Sequence, residues 1–527
     1  MTKTSMKKLP TLFFVIFSLS GYAQTIHSEI KYEPQYRKNI QYPSGEEFTG
    51  FADGENSIVV HAYGMKANIY TFHAMQGHAE HSLQIRKVSP DGKEIVVNNL
   101  ENGEKKFGPL RTIALEYQQK LVLIYAKFLN NSKLELFQSE IDRTTLALIN
   151  TKSLYQFPLT DTRLLRSGNM YKTVFVEESP DKKHLLVAAT GIEEQFFTAV
   201  LDKDLNITQT HIAHVKGTEK IQLHEVAIAD NGTIAASFLK HDLSKSQNEN
   251  EQYKAMRGYI LNPDKKELQI NFEADNTERA LYRTTLLITK DGSKAIFAGD
   301  YHEKHFREGV WLKEIATATL DETNTQRIPY PAQFLNLMKD MKFANKRRGL
   351  IGMNATSYQL IELPDNQFLL GGSPVGTVES YDGTRYDKTS FAGPVNMVFL
   401  DQQRKPVITT IPRHNRLSAA ITSKFIPYKD KLIVLYNDFE ENIKAPFNPE
   451  RIKQKGFGNI KELSLGAAVI NTNREVESRK LLGEGAGRMH IYLLTKATYK
   501  SPFELFIPAS KTEAKKKRYQ IVHVTIE

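Results

Sequence analysis

The chain has 527 residues, 40% hydrophobic and 25% charged, with 70 basic against 60 acidic side chains for a formal charge of +10. That balance fits a globular protein rather than a disordered chain or a multi-span membrane protein, and the length suits one large β architecture or roughly three average domains. It contains no cysteine, which excludes disulfides, thiolate metal and iron–sulfur sites, cysteine nucleophiles and any lipid attached through a thiol.

Residues 1–23 read as an export signal, leaving 24–527 as the mature chain. Lys3, Lys7 and Lys8 form a basic start, residues 9–19 are an apolar run, and Gly21 and Ala23 are the small residues at −3 and −1 of a cleavage site. A run of eleven residues falls well short of the ~20 that span a bilayer. The stretch 14–24 resembles signal peptides of Gram-negative bacteria of the Bacteroidetes type. The expected product is soluble, periplasmic or secreted, with no membrane span and no cysteine-linked lipid anchor. Loss of three lysines lowers the formal charge from +10 to +7, and the run 511–518 holds five bases against Glu513. Little charge is left for the rest of the chain, so no nucleic-acid footprint is expected.

Beyond the signal the chain repeats. An aliphatic residue followed by Asp or Asn closes a strand-like run at Ile141-Asp142, Leu201-Asp202, Leu261-Asn262, Leu320-Asp321, Leu400-Asp401 and Ile470-Asn471, at intervals of 60, 60, 59, 80 and 70 residues. Val88-Ser89-Pro90-Asp91-Gly92 is an earlier copy. Asp and Asn suit such turns because their side chains satisfy nearby backbone donors and tolerate left-handed dihedrals. A second turn series is interleaved: Tyr63-Gly64, Gln118-Gln119, Pro180-Asp181, Asn231-Gly232, Asp291-Gly292, Pro364-Asp365 and Lys429-Asp430. Two hairpins per unit make four antiparallel strands, which is one propeller blade. Three C-terminal strands (490–494, 503–506 and 519–526) and one near the mature N-terminus (26–32) would close the last blade and remove its open edges. The fold expected is an all-β single propeller of four-stranded antiparallel blades, eight by division of the chain and seven as the alternative.

Ser89-Pro90-Asp91-Gly92-Lys93 and Ser179-Pro180-Asp181-Lys182-Lys183 resemble the WD-like Pro-Asp repeats of secreted bacterial propellers. The resemblance implies the fold and little about activity. No copy carries the Gly-His and Trp-Asp signature of eukaryotic WD repeats.

In such a blade the two turn series share one face. The long B–C loops and D–A connections, 240–253, 300–307, 327–357, 373–391 and 438–461, collect on the other, where binding residues concentrate. In chain order, His73, His78 and His81 are the imidazoles that a metal site would need, but exposed loop histidines are the simpler reading and no metal is expected. The segment 300–307 brings Asp300, His302, His305 and Arg307 as ligand-contact candidates; its His-x-x-His spacing is one short of the metalloprotease pattern. Residues 331–346 predict a short inserted helix, with Phe334, Leu337, Met338 and Met341 at helical spacing. Glu379, Tyr381, Asp382, Arg385, Tyr386 and Asp387 mix aromatics with both charge signs, a composition suited to gripping a polar ligand. Gly483-Glu484-Gly485-Ala486-Gly487 precedes a strand and therefore does not read as a phosphate loop.

No Gly-x-Ser-x-Gly elbow or Walker loop occurs, and the repeats leave no room for a separate catalytic domain. The expectation is a non-catalytic binding or scaffold protein for a protein, peptide or glycan, without cofactor. The alternative is a propeller glycoside hydrolase or lyase that uses loop-face carboxylates such as Glu379, Asp382, Asp387, Asp438, Glu440 and Glu441.

Overall fold

A computed structural model describes residues 26–32, 47–65, 80–91, 93–100, 111–130, 133–158, 174–190, 195–215, 221–240, 256–272, 281–303, 306–332, 344–345, 349–350, 355–381, 386–413, 423–444, 463–483, 489–513 and 516–527. The chain is an eight-bladed propeller. Blades 1–7 span 47–100, 111–158, 174–214, 221–272, 281–329, 355–411 and 423–483, each an antiparallel sheet whose ladder strands A to D follow in sequence order. In blade 8 strand A is split into Met489–Tyr492 and Thr498–Ser501, B is Glu504–Glu513 and C is Lys516–Ile526. Its strand D is Ile26–Tyr32, paired from Ile26↔Ile526 to Ile30↔Val522. The expected closure by both ends is what forms.

Burial grades along each sheet. Strands such as Leu185–Thr190, Val395–Leu400 and Leu463–Ile470 are buried at every position, because both of their faces meet a neighbouring blade. That double burial is why they read as unbroken apolar runs instead of alternating ones. The D strands Glu94–Leu100, Ile207–His214 and Glu322–Pro329 alternate between half-buried and exposed positions on the rim. Eight separate apolar clusters fill the eight gaps between blades. The closing gap holds a small one, Val59, Val88, Phe506 and Ile521. There Gly50 is required, since a Cβ on it would lie 2.8 Å from Cδ1 of Ile521.

The Asp and Asn turns work as their chemistry predicts. Asp202 Oδ1 accepts from the backbone N–H groups of Asp204 (2.9 Å) and Asn206 (2.8 Å), and Asp401 and Asn471 accept likewise from Lys405 and Glu475. In the Ser-Pro-Asp turn of blade 3, Ser179 donates to Asp181 at 2.7 Å while the Asp accepts from Lys183 N–H. Two expected turns shift. Tyr63-Gly64 lies inside strand Asn56–Met65, and blade 1 turns instead at Gly54, whose φ is +63°. Leu320-Asp321 does not end a strand, because strand Phe306–Ala316 stops earlier and Ala316 takes the bonding role of Asp202.

Leu320 belongs to a series the sequence reading passed over. Leu146, Leu205, Lys265, Leu320, Arg404 and Arg474 occupy corresponding turn positions in blades 2–7 with φ between 61° and 66°. A left-handed backbone costs a non-glycine residue about 1 kcal/mol. Five of the six side chains reach toward the preceding blade: Leu146, Leu205 and Leu320 enter its apolar gap, Arg404 pairs with Glu314 there, and Arg474 bonds Gln367. A glycine would relieve the backbone but leave those gaps unfilled.

Of the helix expected over 331–346, Ala332 is helical, whereas the C-terminal end is strand. Ala344–Asn345 is a short strand paired with Gly349–Leu350, and 333–343 lie outside the described residues. A five-residue helix occurs elsewhere, at Glu440–Lys444 in blade 7.

Candidate functional site

The tight turns share one face of the ring and close on backbone bonds such as Asp202 N–H to the Asn206 carbonyl and Leu205 N–H to the Asp202 carbonyl. On the other face several B–C hairpins carry their strands outward. The longest strand, Gln367–Tyr381, pairs with Val395–Leu400 only as far as Gly372. From Val375 onward it pairs with its own return strand Tyr386–Ala392, through Glu379↔Lys388, Ser380↔Asp387 and Tyr381↔Tyr386. Seven residue pairs at about 3.4 Å each give a ribbon roughly 20 Å long. The segment expected as a loop is therefore ordered β structure. Asp382 and Arg385 lie outside the described residues.

The second candidate segment is also strand and not loop. Asp300 and His302 belong to Lys294–Glu303 and Arg307 to Phe306–Ala316, with Asp300↔Val310 and His302↔Arg307 paired. Because the ladder runs almost to the tip, this hairpin keeps Asp300 two residues back from His302 along the strand. His305 lies outside the described residues. His81 sits in strand Glu80–Val88 opposite Gly64, and His73 and His78 lie outside the described residues. Among the described residues, no three His, Asp or Glu side chains gather as metal ligands would.

Sequence reasoning missed the groups on the innermost strands. Strand A of each blade has a ladder partner on one side only and lines the axis of the ring. Glu177 of strand Val174–Glu178 and Glu225 of strand Ile221–Ile228 stand there on neighbouring blades, with Lys424 of strand Ser423–Tyr428 on the blade diametrically opposite Glu177. The Glu177 carboxyl is pushed up to about 7 by desolvation, with Lys424 opposing and Glu178 adding to the rise. The side chain itself is exposed, so the protein packed around the axis weakens hydration of its charged form without closing it off from solvent. Glu225 is pushed up to about 8, again by desolvation first; Glu177 adds to it, while the Leu286 N–H at 2.9 Å opposes it. His224 occupies a β-bulge beside Glu225, a device that re-aims side chains near strand ends. Lys424 Nζ lies 5.0 Å from the Tyr499 ring centroid on the next blade. The available sequence signal was an acid directly beside apolar residues in a short strand, Glu177 after Val174-Phe175-Val176 and Glu225 before Val226.

Asp438 proves structural. It is fully buried, and its Oδ1 accepts from Phe439 N–H at 2.8 Å and from the Asn442 amide at 3.1 Å, anchoring the helix Glu440–Lys444. Arg413 is buried on the facing side and donates Nε–H to the Gly393 carbonyl at 3.0 Å. Desolvation pulls its guanidinium down to about 10, against the pull of Asp438.

Searches for relatives add no function. No family model matches the chain, and no curated protein matches it. Among solved structures, it is similar to the β-propeller domain of the Trilobed protease from Pyrococcus furiosus at 11% identity and TM-score 0.35, over 84% of this chain and 99% of that one. It is also similar to the Cps50 (Swd1) β-propeller domain of Myceliophteria thermophila at 9% and 0.33, over 79% and 96%. A third similarity is to an α-L-arabinofuranosidase of Fusarium graminearum at 12% and 0.32, over 68% and 93%. Scores this low carry no functional argument, and the blade count rests on the chain's own sheets.

Proposed function

We propose that the chain is an exported, non-catalytic binding propeller that holds a protein, peptide or glycan on the face opposite its tight turns. The leader-like residues 1–23 support export, and no helix among the described residues is long and apolar enough to cross a membrane. The observation that carries the binding reading is the ribbon of blade 6. It extends past the ladder that holds the blade together, so propeller closure does not require it. Its register pairs Glu379 with Lys388 and Tyr381 with Tyr386, residue types that recognition surfaces favour. The test is a panel of glycans and peptides offered to the wild type and to Tyr381→Ala/Tyr386→Ala. A ligand lost on substitution, with melting unchanged, supports the reading; equal retention of every ligand refutes it.

Glu177 and Glu225 favour a second reading, a hydrolase or lyase working in the channel. One of two neighbouring carboxyls that keeps its proton near neutral pH can serve as a general acid while the other is ionised. Turnover of any polysaccharide, abolished by Glu177→Gln or Glu225→Gln alone, would replace the binding reading with this one.

A further inference from the structure

The outer strand D of each blade is a sheet edge, and proteins keep such edges from pairing by placing charge or proline on them. Seven of the eight outer strands do so. Glu94, Lys152, Glu267, Glu322, Glu477 and Glu29 stand in six of them, and Pro406 opens the other. Strand Ile207–His214 of blade 3 is the exception: its sequence, ITQTHIAH, holds no Asp, Glu, Lys, Arg or Pro. Four of its eight residues are β-branched, a type that suits a strand paired on both edges.

At the turn before this strand Asp202 N–H donates to the Asn206 carbonyl. The register then runs from Leu201↔Ile207 through Val200↔Gln209 to Gln195↔His214, with Thr208 as the extra residue of a bulge. Bonded and non-bonded pairs alternate along an antiparallel ladder. Gln209, His211 and Ala213 therefore bond inward to strand C, and the N–H and C=O groups of Thr210 and Ile212 point out of the sheet. Among the described residues no other strand pairs with this edge. The side chains leave it open as well. His211 is held toward blade 4, its Nε2 2.9 Å from the Tyr259 hydroxyl and 2.8 Å from Glu267 Oε1. Ile207 and Ile212 are 41% and 45% exposed, with Thr208, Thr210 and His214 exposed beside them.

We propose that strand Ile207–His214 pairs with the same strand of a second copy of this chain, antiparallel about a two-fold axis, joining two four-stranded blades into one continuous sheet. A two-fold interface sets a surface against itself, so a charged edge repeats each of its charges across the seam. This strand repeats only Ile, Thr, Gln, His and Ala. The outward groups of Thr210 and Ile212 then meet those of the second copy, and cross-strand contacts between threonine and isoleucine cover the exposed isoleucines. A strand donated by a different protein is the competing occupant; the self-complementary, uncharged edge favours the second copy. The pairing uses the rim of the ring and is independent of what the loop face binds.

Sedimentation velocity of the full chain over a dilution series tests it. The wild type is expected to pass from dimer to monomer on dilution. Thr210→Pro removes an outward N–H without taking a bond from the blade, and Ile212→Lys sets a charge at an exposed position. Each should weaken association at least tenfold, Ile212→Lys with melting unchanged. Mixing Ile212→Lys with Ile212→Glu should restore a dimer that neither forms alone, because opposite charges then face each other across the seam. A dimer that both single substitutions leave intact, or a mixture that stays monomeric, overturns the proposal. So does a wild type that is monomeric at every concentration, whether or not the strand then accepts a peptide from another protein.

Discussion

Arg404 offers the sharpest test of how adjacent blades are held. Its guanidinium reaches from blade 6 to Glu314 of blade 5, with Nε at 2.5 Å from Oε1 and Nη2 at 3.2 Å from Oε2. Nη1 donates to the Asn366 carbonyl at 2.9 Å, and Cζ lies 4.4 Å from the Phe368 ring centroid. Glu314 and Arg404 are only 2% and 7% exposed. Burial alone would push the Glu314 carboxyl up, but the bonds from Arg404 and Lys294 overcome it and hold the group below its ordinary range. Removing one member of a buried pair costs about 3–5 kcal/mol. Arg404→Ala should sit near the lower end, since Lys294 remains 3.1 Å from Glu314. Replacing both members, as Glu314→Leu/Arg404→Met, should cost clearly less than Arg404→Ala. Trp311, the single tryptophan, lies on blade 5 and reports unfolding in urea by its emission. A loss below about 1 kcal/mol for Arg404→Ala, or a double variant weaker than the single, would refute this reasoning. The depressed carboxyl also sets a direction with pH: its contribution is present above the unfolded value of 4.5 and lost as pH falls through the lower folded value.

Three further outcomes follow from the geometry. Glu225 is held up at about 8, so its contribution to stability is fully present below 4.5 and lost as pH rises through 8. Glu225→Gln should therefore flatten the fall in melting temperature between those values; parallel profiles would contradict it. Gly309→Ala should destabilise more than Gly54→Ala, because its Cβ would lie 2.1 Å from the Ile328 carbonyl oxygen, whereas Gly54 has nothing within 4 Å and only its φ of +63° to strain. Urea midpoints read the order, and a reversed order would sink the argument. Deleting residues 26–32 should expose the edge of strand Lys516–Ile526 and drive self-association, visible by light scattering; a monodisperse product would count against closure by the N-terminal strand.

The architecture was legible because Asp and Asn turns recur in most blades, and because doubly buried strands read as apolar runs. Blade count came from dividing the chain, with seven as the alternative, and closure from the strands at its two ends. The left-handed series escaped notice since Leu146, Leu205 and Arg404 share a backbone conformation and not a residue type. Leu320-Asp321 was misplaced for the same reason, as its aliphatic residue fills the left-handed position instead of ending the strand. At the candidate sites, polar composition implied loops at 300–307 and 373–391, yet ladder bonds between backbones are indifferent to such side chains. Glu177, Glu225 and Lys424 come from blades 3, 4 and 7, and only ring closure brings them to one axis.

The central claim is that binding occurs on the face opposite the tight turns. Amide hydrogen exchange, with and without the tightest ligand of the panel, tests it most directly. Protection is expected in the outer ends of the hairpins, at 375–392 and 506–518, with the turns at 142–147, 202–206 and 401–405 unchanged. Protection of those turns, with the hairpins unchanged, would contradict it.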